Sequence, residues 1–387
     1  MAPKKTVNVA MIGAQFMGKS HSNAWRKVDM FFDLPVKPVM KVLCGKFPEE
    51  VEVAEKWGWE ETSLDWKAVV EREDIDVIDI CTPNFLHAPI AIAAAKAGKH
   101  VICEKPLANT LPEAKQMLAA VKKAGIKHMC GFSYRFAPAV QTIQKMVSDG
   151  ELGEIFHFRA AYQQDWIVDP DFPLVWRLKK KHTGSGALGD IGAHITDLCQ
   201  FLVGDLDEVC ATMQTFIKKR PLADQDTGIS GGNRKKSKKM GTVDVDDAAI
   251  FLARIKNSNT LATFEATRFA PGRRNYNTFE IYGSKGSVTW NQESMNEFQY
   301  FTQADPPLRQ GFRTVQACDA GHPYTEAWWP AGHIIGYEHL FVHEMFDFVN
   351  NIRKKAAPYS TFEDAVKCQQ VLDAIERSAK SKRWLKV

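Results

Sequence analysis

The sequence predicts a two-domain α/β protein, a doubly wound parallel sheet followed by a domain of longer, mostly antiparallel strands. Three observations predict it. Short β-branched runs alternate with helical patterns over the first third, and strand character then lengthens and alternates. The chain has 387 residues, 45% hydrophobic and 25% charged, enough for two cores. This balance excludes disordered, collagenous and disulfide-stapled classes.

Residues 7–12 read as the first strand, 18–28 as a helix after a glycine turn, 39–44 as the second strand and 48–57 as a helix. Strand 77–81, the alanine-rich helix 88–97 stopped by Gly98, strand 100–103, helix 111–124 and strand 128–131 follow. Such repetition makes a parallel sheet covered on both faces, with its ligand at the carboxyl ends of the strands. Helix 138–148 opens the second part, whose strands 154–163, 247–255, 260–267 and 276–282 alternate as strands with one buried face do. Helices 338–354 and 361–379 close the chain. The domains are placed at 1–132 and 133–387, with the stretch 227–241 as a flexible loop.

The net charge is +4, but five basic residues fall within 234–239, and removing them leaves −1. A near-neutral body suits a small polyol better than a polyanion. Gly231, Gly232 and Gly241 flank the basic run and no aromatic interleaves it, which speaks for a solvated loop rather than a nucleic-acid patch. No apolar run reaches membrane-spanning length and no signal-peptide core follows Met1, so a soluble cytoplasmic protein without a membrane partner is expected. The eight cysteines show no C-x-x-C pair and read as reduced, buried thiols. His339, His343 and Glu344 have superficial metal spacing but read as polar positions of an amphipathic helix, so no metal is expected.

Gly13-Ala14-Gln15-Phe16-Met17-Gly18 lies between the first strand and its helix, where a dinucleotide fingerprint belongs. Gly13 permits the sharp turn and Gly18 close helix–strand packing, while amides at the helix start can take a pyrophosphate. Gln15 stands where the middle glycine usually is. The second strand ends in Cys44-Gly45-Lys46-Phe47, without the carboxylate that reads a ribose hydroxyl. Lys46 can pair with a 2′-phosphate, so NADP is favoured over NAD.

Lys105, in Glu104-Lys105-Pro106 after the fourth strand, can stabilise a developing alkoxide from the cofactor crevice. The Lys105–Pro106 bond is a candidate for cis. The glycine-rich stretch 184–192 runs into a helix on which Asp190, His194 and Asp197 fall at i, i+4 and i+7, one face if the helix begins near Asp190. His194 can then exchange a proton while Asp190 holds its tautomer; the alternative is a helix cap and a packed core histidine.

Together, Gly13 to Gly18, Cys81-Thr82-Pro83-Asn84 with His87, Glu104-Lys105-Pro106, Ser133-Tyr134-Arg135-Phe136 and Gly189-Asp190-Ile191-Gly192-Ala193-His194 resemble the glucose-fructose oxidoreductase, inositol dehydrogenase and MocA family. Asp165-Trp166, Trp176-Arg177 and the segment 328–336 resemble its branch containing levoglucosan dehydrogenase. The resemblance implies an N-terminal Rossmann domain and a C-terminal α/β domain whose large open sheet forms dimer or tetramer contacts. It implies Lys105, Asp190 and His194 as the catalytic set. Thr82, Pro83, Asn84, His87, Glu104 and Lys105 would line the cofactor beside the glycine turn with Gln15, Phe16 and Met17. Arg135, Trp166, Arg177 and Asp197 would join Lys105, Asp190 and His194 on the substrate side.

The activity so implied is hydride transfer between NAD(P) and a ring secondary alcohol or ketone of a sugar, anhydrosugar or cyclitol. An oxidoreductase for another carbonyl or imine, or a regulator that binds dinucleotide and sugar without turnover, stays open at this point. Trp166, Trp176, Trp328 and Trp329 lie in loop-like stretches of the second domain, where indole faces could stack on a sugar, although large aromatics more often pack in cores.

Overall fold

The computed structural model describes residues 6–222, 238–353 and 360–387. Most of the expected flexible stretch 227–241, including 234–237 of the basic run, lies outside the described residues. The chain divides into two compact units, Met1–Phe136 with Gly336–Val366 and Ala137–Ile335 with Lys367–Val387.

The first unit holds β1 (Thr6–Ile12), α1 (Phe16–Phe31), β2 (Lys37–Cys44), α2 (Pro48–Val51), α3 (Ala54–Trp57), β3 (Glu61–Ser63) and α4 (Trp66–Glu71). It continues with β4 (Val77–Ile80), α5 (His87–Lys96), β5 (His100–Cys103), α6 (Leu111–Ala124) and β6 (His128–Cys130). Its strands pair in parallel in the order β3-β2-β1-β4-β5-β6. The order reverses beside β1, which places the switch point at the glycine turn. Central strands are buried on both faces, as Val9, Ala10, Met11, Ile78, Ile80, Val101 and Ile102 show. The expected helix 48–57 is two short helices, α2 and α3, and β3 and α4 were not foreseen because three or six residues carry too little periodicity. Thr110 and Glu113 form a reciprocal capping box at the start of α6, and Gly125 ends it at φ +66°.

The second unit begins with α7 (Pro138–Ser148), β7 (Ile155–Gln163), α8 (Lys180–Thr183), α9 (Ala193–Leu202) and β8 (Leu206–Gln214). A small ribbon of β9 (Lys219–Pro221) and β10 (Met240–Thr242) precedes β11 (Ala248–Ile255), β12 (Leu261–Thr267), β13 (Tyr276–Gly283), β14 (Gly286–Asn291), β15 (Glu297–Thr302) and β16 (Arg313–Gln316). With β17 (Leu385–Lys386), the large sheet runs β16-β15-β14-β13-β7-β12-β11-β8-β17. Every pairing is antiparallel except that of β7 with β12. Alternation is clean along β11, where Ala249, Phe251, Ala253 and Ile255 are buried and Ile250 and Leu252 exposed. The inner face packs Phe158, Phe251, Phe264, Phe279 and Trp290 ring to ring, with α7 and α9 against it.

Two helices close the chain, α10 (Tyr337–Arg353) and α11 (Phe362–Ser381). Here the structure differs from a boundary at 132/133, because residues 336–366 return to the first unit. α10 covers α1, with the Phe32 and Phe346 rings 4.3 Å apart and His21 against Phe341 at 5.5 Å. The apolar side of α1 needs this cover, and sequence position alone did not reveal where it came from.

Candidate active site

In the first unit the glycine turn is as tight as the fingerprint requires. Gly13 sits at φ +113°, its amide donates to the Cys44 carbonyl at 2.8 Å, and a Cβ there would lie 2.5 Å from the Cys81 carbonyl oxygen. A Cβ on Gly18 would lie 2.1 Å from the Gly13 carbonyl oxygen. Only glycine fits either place, and the turn leaves the start of α1 open with Gln15 and Phe16 exposed and Met17 half-buried. The turn and helix therefore fit a dinucleotide phosphate.

Lys46 does not stand alone at the end of β2. Its amide donates to Glu50 Oε2 at 2.7 Å, the Gln15 side-chain amide donates to Glu50 Oε1 at 3.2 Å, and its ammonium lies 4.8 Å from the Phe47 ring centre. A carboxylate thus occupies the corner where the sequence showed only a lysine. It was missed because α2 carries it back from four residues beyond Lys46.

The segments after β4 and β5 are braced to one another. Wholly buried His87 has its ring nitrogens 3.0 Å from the Thr82 and Pro106 carbonyls, and burial lowers its pKa. It ties these segments together. Thr82, Pro83 and Asn84 are half-buried beside it, and the Thr82 hydroxyl is buried with no hydrogen-bond partner among the described residues. The Lys105–Pro106 bond is cis, and Lys105 itself is half-buried.

Glu104 also turns inward. Its Oε1 lies 3.1 Å from His21 Nε2, and its Oε2 accepts from the Lys105 amide at 3.1 Å. His21 Nδ1 lies 3.0 Å from both Asp79 carboxylate oxygens, and Trp25 donates to Asp79 at 2.7 Å. Burial is the largest influence on the His21 pKa and lowers it, but Asp79 and Cys81 together outweigh burial and raise it well above 6.5. Glu104 therefore supports the Lys105 backbone. His21, Asp79 and Cys81 are the one cluster of metal-capable side chains among the described residues, and hydrogen bonding engages it.

Arg135 is buried, 3.5 Å from Asp364, with its guanidinium 5.9 Å from the Phe132 ring. His339 accepts from the Gly336 amide, while His343 faces the Phe136 carbonyl, so the two are not aimed at a common point.

In the second unit, Leu188–Gly192 form a π-helical turn that runs into α9. The α-helical spacing assumed from sequence is therefore widened at Asp190. No side chain of the segment itself caps it. Asp246, just before β11, accepts from the Gly186 amide at 2.6 Å and the Leu188 amide at 2.7 Å.

Asp190 lies between two guanidiniums, with Arg177 Nη1 3.8 Å from Oδ1 and Arg268 Nη1 3.7 Å from Oδ2. Its side chain keeps 22% exposure, so the carboxylate can meet a ligand. His194 is mostly buried, 5.9 Å from the Tyr162 ring, and Asp197 is 1% exposed. Trp166 donates to Gln164 at 3.0 Å, packs edge-on to Phe172 and lies 5.7 Å from the Arg268 guanidinium. It is part of a packed corner rather than a free stacking platform. Arg268 and Asp246 were missed because nothing in the sequence distinguishes them from charges at strand ends.

A β-α-β sheet with a glycine turn shaped for phosphate defines a dinucleotide-binding protein. A family model for an oxidoreductase family with an NAD-binding Rossmann fold matches residues 7–132, and one for the GFO/IDH/MocA C-terminal domain matches residues 140–289. The chain is 44% identical over 386 residues to levoglucosan dehydrogenase of Pseudarthrobacter phenanthrenivorans, covering 99% of this chain and 98% of that one. A solved oxidoreductase domain protein from Kribbella flavida is 47% identical and superposes over 99% of both chains with a TM-score of 0.94. A levoglucosan dehydrogenase solved with NADH and levoglucosan is 43% identical, with a TM-score of 0.93 over 99% of both chains. The chain belongs to the Gfo/Idh/MocA family of NAD-binding oxidoreductases. Among the described residues, no helix is long and apolar enough to cross a membrane.

Proposed function

We propose that the protein is an NAD-dependent dehydrogenase of an anhydrosugar or related sugar, oxidising a ring secondary alcohol to a ketone. The observation that carries this is the likeness along the whole chain to levoglucosan dehydrogenase, a protein solved with NADH and levoglucosan. NAD, when bound, would supply the hydride acceptor. His194 takes the hydroxyl proton, Lys105 stabilises the oxygen as charge develops on it, and Asp190 accepts a hydrogen bond from a substrate hydroxyl. The glycine turn and the start of α1 hold the pyrophosphate.

The preference for NADP drawn from Lys46 gives way to NAD, because Glu50 stands at that corner. A carboxylate there can accept from a ribose hydroxyl and repels a 2′-phosphate. We also propose that the outer face of the large sheet, with Ile250, Leu252 and Leu261 exposed on β11 and β12, joins copies of the chain into a dimer or tetramer. All eight cysteines are thiols and seven are buried, which suits a reducing cytoplasm.

The test is a panel of anhydrosugars, monosaccharides and inositols offered with NAD and with NADP, following reduced nicotinamide. Turnover of levoglucosan or a close relative with NAD is expected, and His194→Ala should lower kcat by about a hundredfold or more. Dinucleotide and sugar binding without turnover would instead identify a sensor.

A further inference from the structure

We propose that Arg268 is the positioning residue that fixes the Asp190 carboxylate for a substrate hydroxyl. The inference rests on the role given to Asp190 above. Arg268 directly follows β12 and is wholly buried. Its Nη2 donates to the Asp246 carbonyl at 3.0 Å, while Nε and Nη1 meet no hydrogen-bond acceptor among the described residues.

A guanidinium does not give up its proton, so a buried one demands a carboxylate within reach. Two carboxylates are candidates. Asp246 spends its oxygens on the Gly186 and Leu188 amides, and burial, opposed by Arg268 and these amides, raises its pKa. Asp190 is the carboxylate towards which the unused Nη1 points, at 3.7 Å.

Arg177 faces Asp190 from the other side, but its side chain is 19% exposed and its guanidinium lies 4.4 Å from the Trp176 ring, so solvent screens it more. Among the described residues, Arg177 before α8, Arg268 after β12, Asp246 before β11 and His194 on α9 are charged or titratable groups on the elements around Asp190, and these elements also carry Asp197, Asp247 and Glu265. The arrangement depends on Gly186, where a Cβ would lie 2.9 Å from Arg268 Nη2 and 1.8 Å from the Asp246 carbonyl oxygen. Two cations beside one partly exposed carboxylate favour the charged form. Asp190 then serves as an acceptor for a sugar hydroxyl and does not compete with His194 for the proton.

The experiment is kcat and KM for levoglucosan and for NAD in wild type, Arg268→Gln, Arg268→Lys and Asp190→Asn. In Arg268→Gln kcat/KM for levoglucosan should fall about tenfold with KM for NAD unchanged, while Arg268→Lys recovers most of the loss. Thermal melting identifies any variant that fails to fold. If Arg268→Gln does, Arg268→Met takes its place as the neutral variant. An unchanged kcat/KM for levoglucosan in a folded neutral variant, or a loss that Arg268→Lys does not relieve, overturns the inference. Asp190→Asn separates the two claims: wild-type activity there removes Asp190 from the mechanism, whereas an inactive Asp190→Asn beside an unchanged Arg268→Gln removes Arg268 alone.

Discussion

His343 is wholly buried on α10, with Nδ1 2.9 Å from the Phe136 carbonyl, and burial pulls its pKa down to about 3. The folded protein keeps this ring neutral, whereas the unfolded chain protonates it near pH 6.5. Its contribution to stability is therefore complete above pH 6.5 and is lost as the pH falls from 6.5 towards 3. Between pH 6.5 and 5 the loss from this one group is about 2 kcal/mol. Urea midpoints across that range should fall for wild type and fall less steeply for His343→Gln, whose amide can still donate to the same carbonyl. Single residues of this kind were partly legible. Gly13 and Gly18 announced their roles by position, because each follows or opens a regular element. His21, Glu50, Asp246 and Arg268 each have a partner 30 or more residues away. No local pattern encodes such pairings.

At the scale of elements, the π turn at Leu188–Gly192 exists because the backbone of Gly186 lies against the Asp246 carbonyl. An alanine at Gly186 would put its Cβ 1.8 Å from that oxygen, so the loop must move. Gly186→Ala should lose at least about 2 kcal/mol in urea unfolding. It should also lose more catalytic activity than stability, since the displaced turn carries Asp190. Gly311→Ala, where a Cβ meets open space, should match wild type in both measurements. Long periodic elements were readable: α6 and α7 occupy the predicted 111–124 and 138–148, and β11, β12 and β13 lie within a residue of prediction. The short β3, β9, β10, β16 and β17 take their conformation from pairing partners and escaped notice. So did the break between α2 and α3, which propensity does not mark.

For the whole molecule, the nine-stranded sheet presents a face on which Ile250 pairs with Glu265 and Thr212, Leu252 with Thr263 and Cys210, and Leu261 with His157 and Arg254. An open face with aliphatic side chains set among polar ones suits an interface between copies. Light scattering after size exclusion should give a dimer or tetramer mass, and Ile250→Asp combined with Leu252→Asp should yield a smaller species with unchanged NAD binding. A wild-type protein that runs as a monomer removes the proposal. The nine strands also reach far along the chain, and so does the first unit. Because α10 covers α1, the nucleotide-binding unit lacks a wall until residue 366 has been made. During synthesis the ribosome therefore releases a half-built first unit and must translate nearly all of the second before the first can close. The usual order, in which an amino-terminal domain matures while its successor is still emerging, is replaced by a joint finish of the two units.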